Sequence, residues 1–204
     1  MLRAALILCL LLASLPVLAG NKTLLVLGDS LSAGYGIPVQ QGWVSLMQER
    51  LTHSDKGYTV INASISGETT KGASARLDAV LESTKPEFVI VELGGNDGLR
   101  GLSLDEISSN LSSIITRLKA SGATVLLLPM HLPPNYGRSY NDRFINVYRD
   151  LANRHGVTLG RFILDNIADQ PELMQSDGIH PVAGAQRLML ENIWHDIAVL
   201  LTEN

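Results

Sequence analysis

Cysteine is nearly absent from the 204-residue sequence. Cys9 is its only cysteine, and it lies in the apolar stretch at the N-terminus. If that stretch is removed from the mature protein, disulfides, zinc–thiolate sites and a cysteine nucleophile are excluded together. Stability must then come from one apolar core, which a chain of this length is long enough to build.

Blocks of like charge are also absent, and the formal net charge is only −4. Loss of Arg3 with the N-terminal stretch lowers it to about −5. Neither nucleic acid nor an anionic membrane surface is therefore indicated as a partner. Because internal repeats, low-complexity tracts and linkers are missing as well, we expect residues 20–204 to form one domain.

The apolar run near the N-terminus is short for a permanent membrane anchor. As a helix, residues 4–19 would span about 24 Å at ~1.5 Å per residue, less than the ~30 Å hydrocarbon core. Arg3 precedes the run, and Val17 and Ala19 are small residues before a cleavage point. These features predict a signal peptide over residues 1–19, cleaved after Ala19, and a periplasmic or secreted protein without stable membrane insertion.

Short apolar runs alternate with helical patterns along the rest of the chain. Buried strands are predicted at 23–27, 58–63, 88–93, 125–128 and 157–163. Helices are predicted at 42–51, 71–81, 103–122, 140–155 and 181–201, the third starting with a capping-box spacing. This βα order predicts a single three-layer α/β/α domain with a mostly parallel, five-stranded, flavodoxin-like sheet.

A serine follows the first predicted strand. The run Leu24–Leu27 leads into Gly28-Asp29-Ser30, and ligands of open α/β sheets bind outside the carboxyl ends of the strands. Ser30 is therefore a candidate nucleophile. Gly-Asp-Ser is also ordinary turn chemistry, since Asp and Ser side chains bond their own backbone, so the motif alone leaves both interpretations open.

An acid and a histidine lie three residues apart near the C-terminus, in Asp177-Gly178-Ile179-His180-Pro181. A serine hydroxyl attacks well when an imidazole takes its proton, and the imidazole needs a carboxylate that fixes its tautomer. Ser30, His180 and Asp177 supply these three parts. Taken alone, the segment is equally consistent with a turn leading into a final helix that starts at Pro181.

Two further loops follow predicted strands and reach the same edge of the sheet, one with Gly67 and one with Asn96. When a serine attacks a carbonyl, the oxygen becomes an anion that needs hydrogen-bond donors already in place. The backbone N–H at Gly67 and the Asn96 amide are suitable donors. Each is a weak signal by itself, because Gly and Asn are common in any loop.

Together these four segments resemble the blocks of the GDSL, or SGNH, hydrolase family. The matching stretches are 28–36, Gly67, 94–97 and 177–181, and the resemblance spans essentially the whole mature chain. Residues 62–67 and 92–101 are particularly similar to the bacterial periplasmic thioesterase and lysophospholipase branch. The resemblance implies an SGNH hydrolase domain without a cofactor, which cleaves acyl esters and thioesters through an acyl-serine intermediate.

The residue roles carried over by this resemblance form two sets. Ser30, Asp177 and His180 are expected to be catalytic, and Ser30, Gly67 and Asn96 to form the oxyanion hole. Apolar side chains near these blocks would bind the acyl group, namely Leu99, Leu102, Leu132, Pro133, Tyr136 and Ile179, although the proline-rich loop could equally serve only to stiffen the chain. We expect a monomer that acts on a small acyl ester or thioester, with sugar deacetylation as an alternative.

Other interpretations of the same residues remain. His131 also follows a strand and is a rival base, although it lacks a nearby acid. Asp29, Asp177, His180 and His131 could instead hold a metal ion, which would leave the Ser–Gly–Asn set unexplained. A flavodoxin-like module could bind phosphate through the same glycine loops without catalysis. The nucleophile elbow of α/β-hydrolases is excluded, because Ser32 stands where the elbow requires glycine.

Overall fold

Five parallel strands form one sheet in the computed structural model, which describes residues 22–53 and 57–202. The strands are β1 (Lys22–Gly28), β2 (Tyr58–Asn62), β3 (Phe88–Glu92), β4 (Thr124–Leu127) and β5 (Thr158–Leu159). Their order is β2-β1-β3-β4-β5, and every neighbouring pair is parallel. This is the flavodoxin-like order, so the predicted fold class is confirmed. The predicted signal peptide, 1–19, lies outside the described residues.

Seven α-helices occur in the same part of the chain: α1 (Ser30–Ala33), α2 (Trp43–Thr52), α3 (Thr70–Thr84), α4 (Gly95–Leu99), α5 (Leu104–Ala120), α6 (Arg138–His155) and α7 (Gln186–Leu200). Helix α5 packs between α3 and α6, and α2 packs on α7. Right-handed crossovers from parallel strands place these two groups on opposite faces of the sheet. None of the described helices is both long and apolar enough to span a bilayer.

The central strands β1 and β3 supply the middle of the core. Residues 24–27 of β1 and all of β3 are buried. A strand covered by helices on both faces needs a continuous apolar run rather than alternation, which is why these two strands were readable in the sequence. The edge strand β2 is different, because Thr59 and Asn62 are exposed there.

Helix α5 confirms the helix predicted at 103–122 from the most regular apolar pattern in the sequence. Its N-cap is Ser103, whose hydroxyl accepts a hydrogen bond from the Glu106 N–H at 3.1 Å. Residues Ile107, Leu111 and Ile114 are fully buried on its inner face. The capping-box spacing therefore marked the true start of the helix.

The predicted start of the last helix at Pro181 is wrong. Pro181 pairs with Met174 in an antiparallel bridge, and the Val182 N–H donates to the Leu173 carbonyl at 2.9 Å. These bonds keep the chain extended, so α7 begins only at Gln186, after a short 3₁₀ turn. Strand β5 is also shorter than predicted, with two paired residues, and the short helices α1 and α4 were not predicted.

Candidate active site

The candidate site lies where the sheet changes direction. The chain places β2 on one side of β1 and β3 on the other. Loops that leave such a switch point diverge to opposite faces and open a crevice at the carboxyl edge. Ser30 directly follows β1, Gly67 follows β2, and Asn96 follows β3. The fold thus gathers three segments that are far apart in the sequence.

Ser30 is the first residue of the four-residue helix α1. Asp29 is the N-cap of this helix, and its Oδ1 accepts a hydrogen bond from the Leu31 N–H at 3.1 Å. The helix ends at Gly34, whose φ of +74° favours glycine. This tight turn fixes the Ser30 backbone at the edge of the sheet while the residue is only 9% exposed.

A continuous chain of hydrogen bonds runs from Ser30 to Asp177. The Ser30 Oγ lies 2.9 Å from His180 Nε2, and His180 Nδ1 lies 2.7 Å from Asp177 Oδ2. Asp177 Oδ1 also accepts the backbone N–H groups of Ile179 at 2.9 Å and His180 at 3.0 Å. Bonds from the His180 backbone and ring, followed by that from Ile179, lower the pKa of Asp177 to about 2. Its carboxylate is therefore ionised next to the imidazole.

The loop that carries His180 is tied to the segment that follows Ser30. The Gln175 N–H donates to the His180 carbonyl at 2.7 Å, and Gln175 Nε2 donates to the Tyr35 carbonyl at 2.8 Å. The Tyr35 ring packs on the imidazole with 4.4 Å between ring centroids. Sequence reasoning assigned neither residue a role, because the contacts of Tyr35 with Gln175 and His180 join positions about 140 apart along the chain.

Asn96 lies in α4 and contacts Asp29. Its Nδ2 donates to Asp29 Oδ2 at 3.0 Å. Gly67 has a φ of +78°, and its carbonyl accepts a hydrogen bond from Arg100 Nη2 at 2.9 Å. Among the hydrogen bonds between described residues, none uses the backbone N–H of Ser30 or Gly67. These N–H groups remain available to a ligand.

The short helix α4 is anchored by buried polar contacts. Asp97 accepts hydrogen bonds from the Thr70 N–H at 2.9 Å and the Thr70 hydroxyl at 2.6 Å. Gly94 has a φ of +107° and leaves room for the Tyr148 hydroxyl, which donates to the Leu93 carbonyl. The Gly-Gly-Asn-Asp sequence is thus explained by packing as well as by a site, because Gly94 and Asp97 make buried contacts of the fold while the Asn96 amide bonds Asp29.

The carboxyl group of Glu92 also lies behind Ser30, and no role was predicted for it from the sequence. Glu92 ends β3, is fully buried, and accepts a hydrogen bond from the Ser32 hydroxyl at 2.6 Å. Burial raises its pKa well above the ordinary value, and the negative charge of Asp29 raises it further. Burial likewise raises the pKa of Asp29 to about 6, against hydrogen bonds that lower it.

A cavity of about 460 Å³ opens beside the Ser30–His180 pair. Four of the residues predicted to bind the acyl group line it, namely Leu99, Leu132, Pro133 and Ile179. Leu102 and Tyr136 are outside this lining and pack against the core, and the Tyr136 hydroxyl donates to the Leu99 carbonyl at 2.9 Å. Further apolar walls come from Met130, Phe162, Leu164 and Met174. The only signal for Phe162 was the apolar run assigned to the last strand.

His131 also lines this cavity, but the imidazole that hydrogen-bonds Ser30 is that of His180. The His131 ring stacks on Phe162 with 4.0 Å between centroids. Burial lowers its pKa. In the described ranges, no group of three His, Cys, Asp or Glu side chains is arranged to hold a metal ion.

A parallel α/β sheet with a hydroxyl–imidazole–carboxylate chain at its switch point defines the serine type of acyl hydrolase. Residues 26–188 match the model of the GDSL-like Lipase/Acylhydrolase family, and the chain belongs to that family. The resemblance noted in the sequence is therefore confirmed, and the chain is a hydrolase of the esterase class.

Individual relatives support this assignment over most of the chain. Esterase TesA of Pseudomonas aeruginosa is 47% identical over 193 residues, which are 95% of this chain and 96% of the relative. Thioesterase 1/protease 1/lysophospholipase L1 of Escherichia coli K12 is 44% identical over 168 residues, 82% of this chain and 79% of the relative. A crystal structure of TesA superimposes with a TM-score of 0.86 at 47% identity, covering 88% of this chain and 99% of that one.

Proposed function

We propose that this protein hydrolyses acyl esters and thioesters at Ser30, with His180 and Asp177 as its partners. One observation carries the proposal, namely the unbroken chain from Ser30 Oγ through both nitrogens of the His180 ring to the Asp177 carboxylate. A hydroxyl within 2.9 Å of an imidazole whose other nitrogen faces an anion can lose its proton as it attacks.

The reaction has two halves. First, His180 Nε2 takes the proton from Ser30 Oγ as the oxygen attacks the acyl carbonyl carbon. Asp177 stabilises the imidazolium, which then gives the proton to the departing alcohol or thiol and leaves an acyl-Ser30 ester. In the second half, His180 takes a proton from water, the hydroxide oxygen attacks this ester, and the proton returns to Ser30 as the carboxylic acid leaves.

The developing oxyanion needs hydrogen-bond donors that are already placed around the carbonyl oxygen. The backbone N–H groups of Ser30 and Gly67 and the Asn96 amide are the proposed donors. Their availability supports this, because the described residues leave the two N–H groups without acceptors. One such donor typically contributes about 3–4 kcal/mol to the stability of the transition state.

The cavity favours an acyl chain longer than acetyl. Its volume is about 460 Å³, within the range of small-molecule sites, and its walls are mainly apolar. The E. coli relative is named both a thioesterase and a lysophospholipase. A protein outside the cytoplasm would not meet cytosolic acyl-coenzyme A, so we propose lipid or other acyl esters as the natural substrates. Acetyl esters are the alternative.

The proposed location depends on the N-terminal segment. Residues 1–19 would direct export and be removed after Ala19, which leaves residues 20–204 as the mature domain in the periplasm. We further propose that this domain acts as a monomer. The N-terminal sequence of the exported protein tests the first statement, and its mass in solution tests the second.

Hydrolysis of p-nitrophenyl esters from acetyl to palmitoyl tests the proposed chemistry. We expect Ser30→Ala to lose about 10⁴-fold or more in kcat, as removal of a nucleophile usually does. Ser109→Ala, at an exposed position of α5, is the matched control and should keep the full rate. Equal rates in wild type and Ser30→Ala would refute the proposal. A rate profile that peaks at acetyl would favour the acetylesterase alternative.

A further inference from the structure

Two carboxyl groups lie buried next to each other behind Ser30. Asp29 is 2% exposed and directly follows β1. Glu92 is fully buried and is the last residue of β3. The Asp29 N–H donates to Glu92 Oε2 at 3.3 Å, and this bond brings the two acids close together. Burying two neighbouring carboxylates costs free energy of folding, unless one of them is protonated or their charges are paired with positive groups.

Gly28 makes room for this pair. A Cβ atom at Gly28 would lie 2.6 Å from the Ser32 hydroxyl oxygen and 2.8 Å from Glu92 Oε2. Both distances are shorter than real contacts allow, so any larger residue at position 28 would displace Glu92 or Ser32. The glycine before Asp29 is thus required by the buried acid, and not only by the turn.

The two acids have unequal hydrogen-bond partners. Asp29 accepts two N–H bonds, from Leu31 at 3.1 Å and from the Asn96 amide at 3.0 Å. Glu92 Oε2 accepts from a hydroxyl and from one long N–H bond. Glu92 Oε1 has no partner among the described residues. An anion is stabilised best where both of its oxygens have donors, as in Asp29, so the negative charge belongs on Asp29.

One proton is needed between the two groups. Ionised carboxylates only accept hydrogen bonds, so two ionised neighbours could not donate to each other. Repulsion between like charges in a buried site also disfavours ionisation of both. A proton on Glu92 removes both conflicts and lets this carboxyl group donate a hydrogen bond.

We propose that Glu92 is a neutral acid and that ionised Asp29 is a positioning residue, which holds the Asn96 amide ready for the oxyanion. An amide nitrogen carries two hydrogens. One hydrogen of the Asn96 amide bonds Asp29, and the other remains for the substrate. Asp29 acts here through Asn96 and does not touch the reacting atoms. This inference rests on the proposed function of Ser30, His180 and Asn96.

Asp29→Asn tests the role of the charge. Asn is as good an N-cap as Asp, so its oxygen can still accept from the Leu31 N–H. Its NH₂ group would then face the NH₂ group of Asn96, and the two donors repel. We expect kcat to fall about 10- to 100-fold, with KM within about twofold and little change in Tm. Asp78→Asn is the matched control, because the side chain of Asp78 is 85% exposed.

A double-mutant cycle separates positioning from a general structural effect. If Asp29 acts through Asn96, the variant Asp29→Asn/Asn96→Ala should be no slower than Asn96→Ala alone. Losses that multiply would overturn the proposal. Should Asp29→Asn fail to fold, Asp29→Ser gives the same cycle, because serine also caps a helix but is too short to reach Asn96.

Glu92→Gln tests the neutral state of the second acid. Glutamine resembles a protonated glutamate in shape and charge, so we expect kcat to stay within about threefold of wild type. A loss as large as that of Asp29→Asn would show that Glu92 must be ionised and would overturn this part. The result is separable from the proposed function. If Ser30→Ala is inactive but the Asp29 and Asn96 losses multiply, only the present inference fails.

Discussion

Asp177 and Asp29 are two carboxylates on either side of the same serine and imidazole, yet their environments are opposite. The side chain of Asp177 is 38% exposed, and neighbouring N–H groups lower its pKa to about 2. Asp29 is almost completely buried, and its pKa is raised to about 6. Hydrogen bonds dominate at the first position, whereas desolvation dominates at the second.

The two acids also differ in how the chain holds them. All partners of Asp177 named above lie within three residues of it, so its geometry is a property of one short loop. Asp29 depends on Glu92 and Asn96, which are more than 60 positions away. The local acid can therefore be recognised by spacing, while the buried acid acquires its role only when β1 and β3 pair.

Of the two acids, the exposed Asp177 should show the larger effect when its charge is removed. Asp177→Asn keeps the size of the side chain but can no longer stabilise the imidazolium or fix its tautomer. We expect kcat on a p-nitrophenyl ester to fall about 10⁴-fold with a nearly unchanged Tm. Asp142→Asn, at an exposed position of α6, is the control. A loss below about tenfold would mean that His180 does not depend on Asp177.

A smaller loss is expected on the side of the buried acid. Asn96→Ala removes one proposed oxyanion donor and also the partner of Asp29 Oδ2. We expect kcat to fall about 10²- to 10³-fold, because one donor of several is lost while the nucleophile and base remain. Asn153→Ala, exposed near the end of α6, is the control. An unchanged rate would remove Asn96 from the site.

The difference between local and long-range contacts also explains which features could be predicted from the sequence. The strands β1 and β3 were readable because burial on both faces leaves continuous apolar runs, and Asp177 and His180 because their spacing is local. Glu92 was hidden, since a charged residue that ends an apolar run usually marks the return to solvent. The start of α7 was misplaced because the bridge between Met174 and Pro181 is a tertiary contact that no local propensity encodes.

The smallest effect concerns stability rather than rate. The pKa of Glu92 in the folded protein lies well above its ordinary value of 4.5, because the side chain is buried and faces Asp29. As the pH rises above 4.5, the unfolded chain loses this proton first, so the folded state binds more protons and its stability falls. Tyr148, whose pKa burial raises, is a further titratable group whose charge couples to Glu92.

Glutamine at position 92 has no proton to lose, so Glu92→Gln should abolish this part of the pH dependence. We expect its Tm to exceed that of wild type by a difference that grows as the pH rises above 4.5, with about 2–4 °C for each 1 kcal/mol in a domain of this size. Glu82→Gln, exposed on α3, controls for the change in net charge. A Tm difference that is constant with pH would mean that Glu92 has its ordinary pKa in the folded protein. Burial would then not keep Glu92 neutral, and this acid would be as fully ionised as the exposed Asp177.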